Sequence, residues 1–365
     1  MPRLPHSLLL KAYNISPLLP LVLQGTRSLP SAVNELRWLR EHVLKRNKPT
    51  PTTQKELLRL CKRRSYSEPL QYILGSQPFG ELNIKCRPGV LIARPEPEAY
   101  TTYLAKLLIK GSKGDRGFEF DERKPLRILD LCSGTGCISL LLHSLLVKRF
   151  PGVQINGWDI SPNAVSLAVE NLKRNISKGH LKIQPSQKPP PIQFDQVDIF
   201  SRFNRGQKKQ LHCDIIICNP PYISQKAFLQ DTSRSVRKWE PRLALVPEVE
   251  VEGYDGVKAE DVFYRRLIDL HTRFARSKLL VMEVGDDAQA LRVATMALQN
   301  ELPSRRDTVE IWRDGPELRN GLEGNGRVVL GGRVVGVKGM GNMRAVVVKS
   351  PDYVWSKDGV GQASR

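Results

Sequence analysis

The spacing of apolar residues changes along the chain and divides it into two parts. Between Ser31 and Lys62 apolar residues recur every three or four positions, which predicts helices. Beyond Leu126 short apolar runs alternate with helical patterns, and such strand–helix alternation predicts a mostly parallel α/β sheet. The predicted strands are 126–131, 153–160, 192–198, 213–218, 278–284, 309–312 and 345–348. The predicted helices of this part are 137–149, 163–175, 261–276 and 287–300, and a further helix is predicted before it at 98–109.

These patterns predict four segments. They are a small N-terminal helical domain at 1–75, a β-hairpin linker at 76–100, an α/β domain at 101–350 and a disordered tail at 351–365. Composition further predicts solvated loops at 111–125, 184–191 and 202–210, and a glycine-rich insertion at 314–342. Thr53 with Glu56 is a candidate capping box for a helix near Leu57.

Composition excludes several classes of protein. Hydrophobic residues make up 40% of the 365 positions, which is ordinary for a globular protein. No apolar run reaches the roughly 20 residues that span a bilayer, so we expect no membrane segment. The six cysteines form no CxxC pair, and we expect neither a disulfide scaffold nor a metal site.

Charge is the unusual feature of the composition. The net charge of +20 indicates a polyanionic partner, a basic compartment, or both. No acidic residue precedes Glu35, which suits organellar import, but Pro17 and Pro20 interrupt any long amphipathic presequence. A helical domain with an acid-poor start explains the same segment equally well.

A predicted strand ending at Asp130 and Leu131 runs into a turn of small residues and then a helix. The turn residues are Cys132, Ser133, Gly134, Thr135 and Gly136. The two glycines predict a ligand that approaches the backbone closely, and the carboxyl end of a parallel strand is where ligands bind.

Acidic residues suggest which ligand this is. Asp130 is placed to bind an ammonium group, and Asp159 ends the next predicted strand, where a carboxylate accepts from ribose hydroxyls. The third glycine of a dinucleotide fingerprint is absent near Ser139. An amino group and a ribose without a pyrophosphate describe S-adenosylmethionine. Asp198 and Ile199 are weaker candidates for the adenine amino group and ring, because a solvent-facing Asp198 is nearly as plausible.

The most specific motif is Asn219-Pro220-Pro221-Tyr222 after an apolar strand. The prolines fix the backbone and remove two N–H groups, while Asn219 supplies an amide and Tyr222 a flat wall. A planar NH2 group would donate to the Asn219 side chain and the Pro220 carbonyl. The motif therefore predicts methyl transfer to an amide or exocyclic amine nitrogen without a general base.

These motifs together resemble the class I S-adenosylmethionine-dependent methyltransferases and, more narrowly, the HemK/PrmC family of protein-(glutamine-N5) methyltransferases. Further segments of the chain are similar to that family's signatures: Glu68–Gly75 with Phe79-Gly80, Leu91–Glu98, Trp239–Leu245 and Met282–Gly285. Ala93 and Pro97 depart from the second signature, and Ile199 stands where bacterial members often have an aromatic residue.

The resemblance implies a Rossmann-like, seven-stranded methyltransferase domain behind a helical substrate-docking domain. It implies cofactor contacts at the Cys132–Gly136 turn, at Asp159 and at the backbone near Ile199 and Asn219, and a substrate amide on Asn219 to Tyr222. The implied substrate is the glutamine of the GGQ motif in a peptide chain release factor, and a basic chain suits a mitochondrial, fungal-type member.

Other interpretations stay open from the sequence. The enzyme alternatives are methylation of a ribosomal-protein glutamine and of adenine N6 in a nucleic acid, and the non-enzyme alternative is an assembly protein that keeps the fold. We expect a monomer in the mitochondrial matrix, with the cytoplasm as the alternative location. We also expect proximity to the ribosome and no sequence-specific nucleic acid as a partner.

Overall fold

The computed structural model describes residues 4–45, 50–111, 118–121, 123–183, 189–248, 256–275, 277–300, 307–318, 325–350, 353–354 and 362–363. The chain divides into two units. The helical unit comprises Met1–Gln77, Lys85–Ile92 and Ala227–Arg242. The sheet unit comprises Pro78–Ile84, Ala93–Lys226 and Leu243–Arg365.

The described helices include all of those predicted from apolar spacing, together with several shorter helices that the spacing does not predict. In chain order they are α1 (His6–Ile15), α2 (Leu19–Thr26), α3 (Leu29–Leu44), α4 (Pro51–Ser65), α5 (Leu70–Leu74), α6 (Pro95–Lys110), α7 (Cys137–Leu146), α8 (Pro162–Ser177), α9 (Arg205–Leu211), α10 (Gln225–Gln230), α11 (Arg234–Trp239), α12 (Val262–Asp269) and α13 (Asp287–Gln299). A π-helical segment, Leu270–Ala275, continues α12 where a single helix to 276 is predicted.

Prolines begin several helices of the helical unit. Proline stands in the first turn of α2, α3 and α4, where its missing N–H has no intrahelical partner to lose. Thr50 and Thr53 form the capping box of α4, so the predicted Thr53–Glu56 box lies one turn too late. Leu19 and Leu23 of α2 are fully buried in the core of this unit. The acid-poor N-terminal segment is thus part of a folded helical core.

The strands are β1 (Ser76–Phe79), β2 (Leu82–Lys85), β3 (Arg127–Leu131), β4 (Gln154–Asp159), β5 (Ile192–Gln196), β6 (Ile215–Cys218), β7 (Leu279–Glu283), β8 (Thr308–Gly315), β9 (Asn325–Leu330), β10 (Arg333–Lys338), β11 (Met340–Lys349), β12 (Tyr353–Val354) and β13 (Gln362–Ala363). β1 and β2 pair in a two-stranded sheet at the start of the predicted 76–100 segment. The main sheet has nine strands in the order β5-β4-β3-β6-β7-β11-β8-β10-β9. The first five of these strands are parallel, and β11 runs antiparallel to both of its neighbours.

Alternate residues of the sheet unit's strands face two separate apolar cores. Ile128 of β3 and Ile215 of β6 pack with α6, α7 and α8. Leu129 and Ile216, one position further along, pack with α12 and α13. Both faces of the central parallel strands are therefore covered, which explains the largely apolar sequences of β3, β6 and β7.

The structure corrects two of the predicted loops. The 202–210 segment contains α9, which Asn204 and Gln207 start with a capping box. The 314–342 segment contains β9 and β10, which extend the sheet from the predicted seven strands to nine. Residues 112–117, 122 and 184–188 of the other predicted loops lie outside the described residues, as does the predicted tail apart from β12 and β13.

Among the described helices, none combines the length and the hydropathy that a membrane crossing requires.

Candidate active site

The predicted site residues lie at one edge of the sheet. The parallel order β5-β4-β3-β6 places the carboxyl ends of four strands side by side. Asp159 ends β4, the small-residue turn follows β3, and Asn219 follows β6. In an open α/β sheet this edge is where ligands bind.

The turn after β3 has three residues with left-handed backbone angles. The φ angles are 59° at Cys132, 54° at Gly134 and 76° at Gly136. A Cβ on Gly134 would meet nothing closer than 4.0 Å, so its space is open to a ligand as predicted. A Cβ on Gly136 would lie 2.7 Å from the ring of Phe194. The second glycine is therefore required by packing within the protein, which corrects the prediction that both glycines admit a ligand.

Asp130 is fully buried below this turn. Its Oδ2 accepts hydrogen bonds from the Ser139 hydroxyl at 2.6 Å and the Ser139 amide at 3.2 Å. Its Oδ1 has no hydrogen-bond partner within the described residues. Burial raises the pKa of Asp130 to about 7, although the bonds from Ser139 oppose the shift. Ser139, at the position where a dinucleotide site has glycine, thus anchors the carboxyl group.

Asp159 accepts hydrogen bonds through both carboxylate oxygens, one of them from the turn. Oδ2 accepts from the Gly134 amide at 2.8 Å, and Oδ1 accepts from the Ser161 amide at 2.8 Å. A carboxylate oxygen has two lone pairs, so each oxygen keeps one acceptor site. Burial raises the pKa of Asp159 against the lowering effect of these two bonds.

Of the other predicted cofactor residues, Ser133 and Thr135 use main-chain groups in hydrogen bonds within the protein. The Ser133 amide donates to the Trp158 carbonyl at 3.0 Å, and the Thr135 carbonyl accepts from Asn171 at 3.0 Å. β5 ends at Gln196, two residues before the predicted end at Asp198.

Asp198 and Ile199 lie in the loop after β5. Asp198 Oδ1 accepts from the Phe200 amide at 2.9 Å, which is an Asx turn. The Ile199 side chain is buried in the core, 5% exposed, and its carbonyl accepts from Arg266 at 2.7 Å.

In the Asn219–Tyr222 loop both prolines are buried, and Asn219 and Tyr222 are half-buried. The Tyr222 hydroxyl donates to Glu283 Oε1 at 3.2 Å, and its main-chain carbonyl accepts from Gln289 at 3.2 Å. Burial, together with the charge of Glu283, raises the pKa of Tyr222 well above its ordinary value.

Sequence reasoning missed three residues of this site. They are Ser139, Glu283 and Gln289. Glu283 stands inside the quoted segment Met282–Gly285, but its partner Tyr222 is 61 positions away. Only the pairing of β6 with β7, which places Cys218 opposite Met282, brings the two together.

The residues present fit a ligand that carries an ammonium group and a ribose. The partnerless Oδ1 of Asp130 suits the ammonium, the free acceptor sites of Asp159 suit ribose hydroxyls, and the space at Gly134 admits the ligand.

Comparison with known proteins adds to this geometry. Residues 118–238 match the family model described as Methyltransferase small domain. Probable MRF1 mitochondrial N(5)-glutamine methyltransferase mtq1 of Schizosaccharomyces pombe is 33% identical over 80% of this chain and 89% of its own length. Mitochondrial MRF1 N(5)-glutamine methyltransferase MTQ1 of Saccharomyces cerevisiae is 34% identical over 91% of this chain and 89% of its own length. Release factor glutamine methyltransferase of Bacteroides thetaiotaomicron is 30% identical over 61% of this chain and 65% of its own length.

The matches to the two yeast proteins extend over most of each sequence. The chain belongs to the N(5)-glutamine methyltransferase family.

Proposed function

We propose that this protein transfers a methyl group from S-adenosylmethionine to the side-chain amide nitrogen of the glutamine in the GGQ motif of a release factor. Two relatives whose names state N(5)-glutamine methylation and MRF1 support the reaction and the substrate class. The single structural observation that carries the proposal is the Asn219–Tyr222 loop, which follows the strand next to the Asp130–Gly136 turn.

The cofactor residues in this proposal lie on β3 and β4 and in the loops that follow β3 and β5. Asp130 holds the ammonium group, Asp159 holds the ribose, and Gly134 leaves room for the ligand. Asp198 and the backbone near Ile199 bind the adenine, and Cys132 to Gly136 shape the turn. When bound, S-adenosylmethionine supplies a methyl group that is activated by its sulfonium.

The substrate residues orient the amide rather than activate it. An amide nitrogen is a poor nucleophile, so holding it in line with the methyl group supplies most of the rate. Asn219 Oδ1 and the Pro220 carbonyl accept the two N–H bonds and stabilise positive charge that develops on nitrogen. Pro221 fixes the loop, and Tyr222 covers the face of the planar amide.

The names of the same relatives support a proposal for the location of this protein. The names of both yeast relatives state a mitochondrial protein, and we propose the mitochondrial matrix for this chain as well. We further propose that it acts as a monomer, that it meets its substrate near the ribosome, and that it reads no nucleic-acid sequence.

Labelled S-adenosylmethionine tests the substrate. The purified protein is incubated with the mitochondrial release factor, a ribosomal protein mixture or DNA. We expect label on the release factor alone, and its loss when GGQ is changed to GGA. If the release factor stayed unlabelled, label on DNA would indicate an adenine N6 methyltransferase instead. Label on a ribosomal protein would indicate a ribosomal-protein glutamine methyltransferase.

A pair of variants tests the role of the loop. Asn219→Ala should abolish transfer while cofactor affinity, measured by equilibrium binding, stays within about threefold because the cofactor's main contacts lie on β3 and β4. Asn204→Ala, which removes the cap of α9, is the matched control and should retain transfer. An equal loss of binding and transfer in Asn219→Ala would make Asn219 chiefly a cofactor residue.

A further inference from the structure

A buried carboxyl group stands directly behind the proposed amide site. Glu283 ends β7, is 1% exposed, and follows Met282, which pairs with Cys218 of β6. The chemistry proposed above does not use it. A buried carboxylate is costly without compensating bonds, so its partners indicate what it does.

Glu283 is one of three contacts that fix Tyr222. Its Oε1 accepts the Tyr222 hydroxyl at 3.2 Å, while the Gln289 amide donates to the Tyr222 carbonyl at 3.2 Å. The ring packs on Gly285, where a Cβ would lie 2.9 Å from Tyr222 Cδ2. The tyrosine is therefore held at its backbone, its ring face and its hydroxyl.

Gln289 is itself held in place. Its Oε1 accepts from the Gly285 amide at 2.8 Å, and its Nε2 donates to Asp261 at 3.0 Å. Asp261 is paired with Arg292 at 2.6 Å. The hydrogen bond from Gln289 to the Tyr222 carbonyl is thus supported by several residues around α13. The hydrogen bond of the Tyr222 hydroxyl, in contrast, depends on the Glu283 carboxylate alone.

Three elements face the Glu283 side chain with charged or titratable groups. They supply Tyr100 and Glu96 from α6, Tyr222 from the loop after β6, and Arg344 from β11. In addition, the Tyr264 hydroxyl of α12 donates to the Glu283 main-chain carbonyl at 2.9 Å. Burial raises the pKa of Glu283 to about 7, although the two tyrosine hydroxyls and Arg344 favour its charged form.

We propose that Glu283 is a positioning residue for methyl transfer, which in its ionised form accepts the Tyr222 hydroxyl and holds the ring against the substrate amide. The inference rests on the proposed function, because it needs Tyr222 to cover that amide. A bond to a charged acceptor is about twice as strong as one between neutral groups, so ionised Glu283 fixes the ring best. Loss of that bond leaves the amide less well oriented and lowers kcat more than it raises KM.

A double-mutant cycle tests the proposal in the full-length protein at saturating cofactor. Glu283→Gln keeps the shape and an acceptor oxygen but removes the charge, and Tyr222→Phe removes the donor. Each should lower kcat by about tenfold, and the double variant should lose no more than either single one. If the fold decrease in kcat of the double variant equalled the product of the two single decreases, the proposal would be overturned. A Glu283→Gln protein with wild-type kcat would overturn it as well.

A control separates positioning from general stability. Glu310→Gln changes another buried carboxylate of the same sheet, whose partners are Lys338 and Lys349. It should leave kcat unchanged even where it lowers the melting temperature. If Glu310→Gln lowered kcat as much as Glu283→Gln does, both losses would be general structural effects. That result would contradict a positioning role for Glu283.

A readout that needs no methyl transfer keeps the inference separate from the proposed function. In protein with ¹³C-labelled tyrosine rings, Tyr222→Phe identifies the Tyr222 signal. That signal should titrate with a midpoint near pH 7 in the wild type and stay flat in Glu283→Gln. A flat wild-type signal would overturn the contact, whatever the substrate. Absence of label on the release factor with an intact titration would instead refute only the substrate.

Discussion

At the scale of single residues, the burial of Asp130 opposes the ionisation of its carboxyl group. The carboxyl group is fully buried, and its pKa of about 7 means that it carries its charge only above neutral pH in the free protein. An ammonium group on the proposed cofactor needs the charged form. We therefore expect cofactor affinity to increase about tenfold for each unit by which the pH is raised toward about 7, and to level off above that pH.

Isothermal titration of S-adenosylmethionine across that range measures the effect. Asp130→Asn keeps the size of the side chain but cannot ionise, so its weaker affinity should not change with pH. Asp198→Asn is the matched control for a carboxylate in the same proposed site and should keep the wild-type pH dependence. If the cofactor affinity of the wild-type protein did not change with pH, Asp130 would not be the group that binds the ammonium.

Gly136 and Gly179 allow a test of why the turn needs glycine. Their φ angles are 76° and 75°, so alanine at either position incurs the same left-handed strain of about 1–2 kcal/mol. Only the Gly136 side chain would strike Phe194, since nothing lies within 4 Å of a Cβ at Gly179. Gly136→Ala should therefore lower the free energy of unfolding by about 1–3 kcal/mol more than Gly179→Ala in chemical denaturation. Equal losses would show that the backbone angle alone selects glycine.

At the scale of elements, a buried ion cluster joins three strands of the sheet. Glu310 on β8 binds Lys338 of β10 at 2.9 Å and Lys349 of β11. Burial raises the pKa of Glu310, but the two lysine charges outweigh burial and hold it below its ordinary value. Its contribution to stability is therefore present above the unfolded-state pKa of about 4.3 and is lost as pH falls through the lower folded-state pKa.

Removing the carboxylate tests that cluster. Glu310→Leu leaves Lys349 buried without its acid, and we expect a loss of about 3–5 kcal/mol in the free energy of unfolding at neutral pH. Glu310→Leu with Lys349→Leu should recover part of the loss, because no buried charge is then left alone. A double variant less stable than the single one would show that the cluster, rather than apolar packing, stabilises this half of the sheet.

The elements also show what the sequence could predict. β3, β4, β6 and β7 were predicted to within about two residues. β3, β6 and β7 are almost wholly buried and largely apolar, whereas Gln154 and Asn156 interrupt the apolar sequence of β4. β9 and β10 were not predicted. Val335 and Val337 of β10 face the core, but Val329 and Val334 are mostly exposed, so apolar residues on both faces obscure the alternation in the sequence.

Short-range signals fail for a different reason. α9 is a single capped segment of seven residues in a basic stretch, and its capping box at Asn204 and Gln207 is easily mistaken for loop composition. In the site, Asp130, Asp159 and Asn219 were found because each stands at the end of a strand. The Tyr222–Glu283 contact depends on which strands are neighbours, and strand order is a property of the whole sheet.

At the scale of the whole molecule, the positive charge is unevenly divided. The helical unit holds 19 Lys and Arg against 6 Asp and Glu, a net charge of +13, and the sheet unit accounts for the other +7. The site residues at the sheet edge are mainly acidic or neutral. Charge of this kind accelerates encounter with a polyanionic or acidic partner and does not act in the chemical step.

Paired charge reversals separate encounter from chemistry. Lys55 and Lys62 are exposed on α4 of the helical unit, and Lys208 and Lys209 are exposed on α9 of the sheet unit. Each pair changed to Glu lowers the net charge by four. We expect the α4 pair to lower kcat/KM for the release factor about tenfold with kcat unchanged, because steering acts before binding is complete. The α9 pair should change kcat/KM much less.

Salt provides the second half of the same test. The range of an exposed charge shrinks from about 10 Å at 0.1 M salt to about 3 Å at 1 M, so the difference between the two pairs should disappear as salt is added. A short uncharged peptide containing GGQ should show neither the salt dependence nor the loss in the α4 pair, because it has no charge to be steered. If the α4 pair lowered kcat for that peptide as well, the helical unit would be acting on the site itself, and its charge would belong to catalysis rather than to encounter.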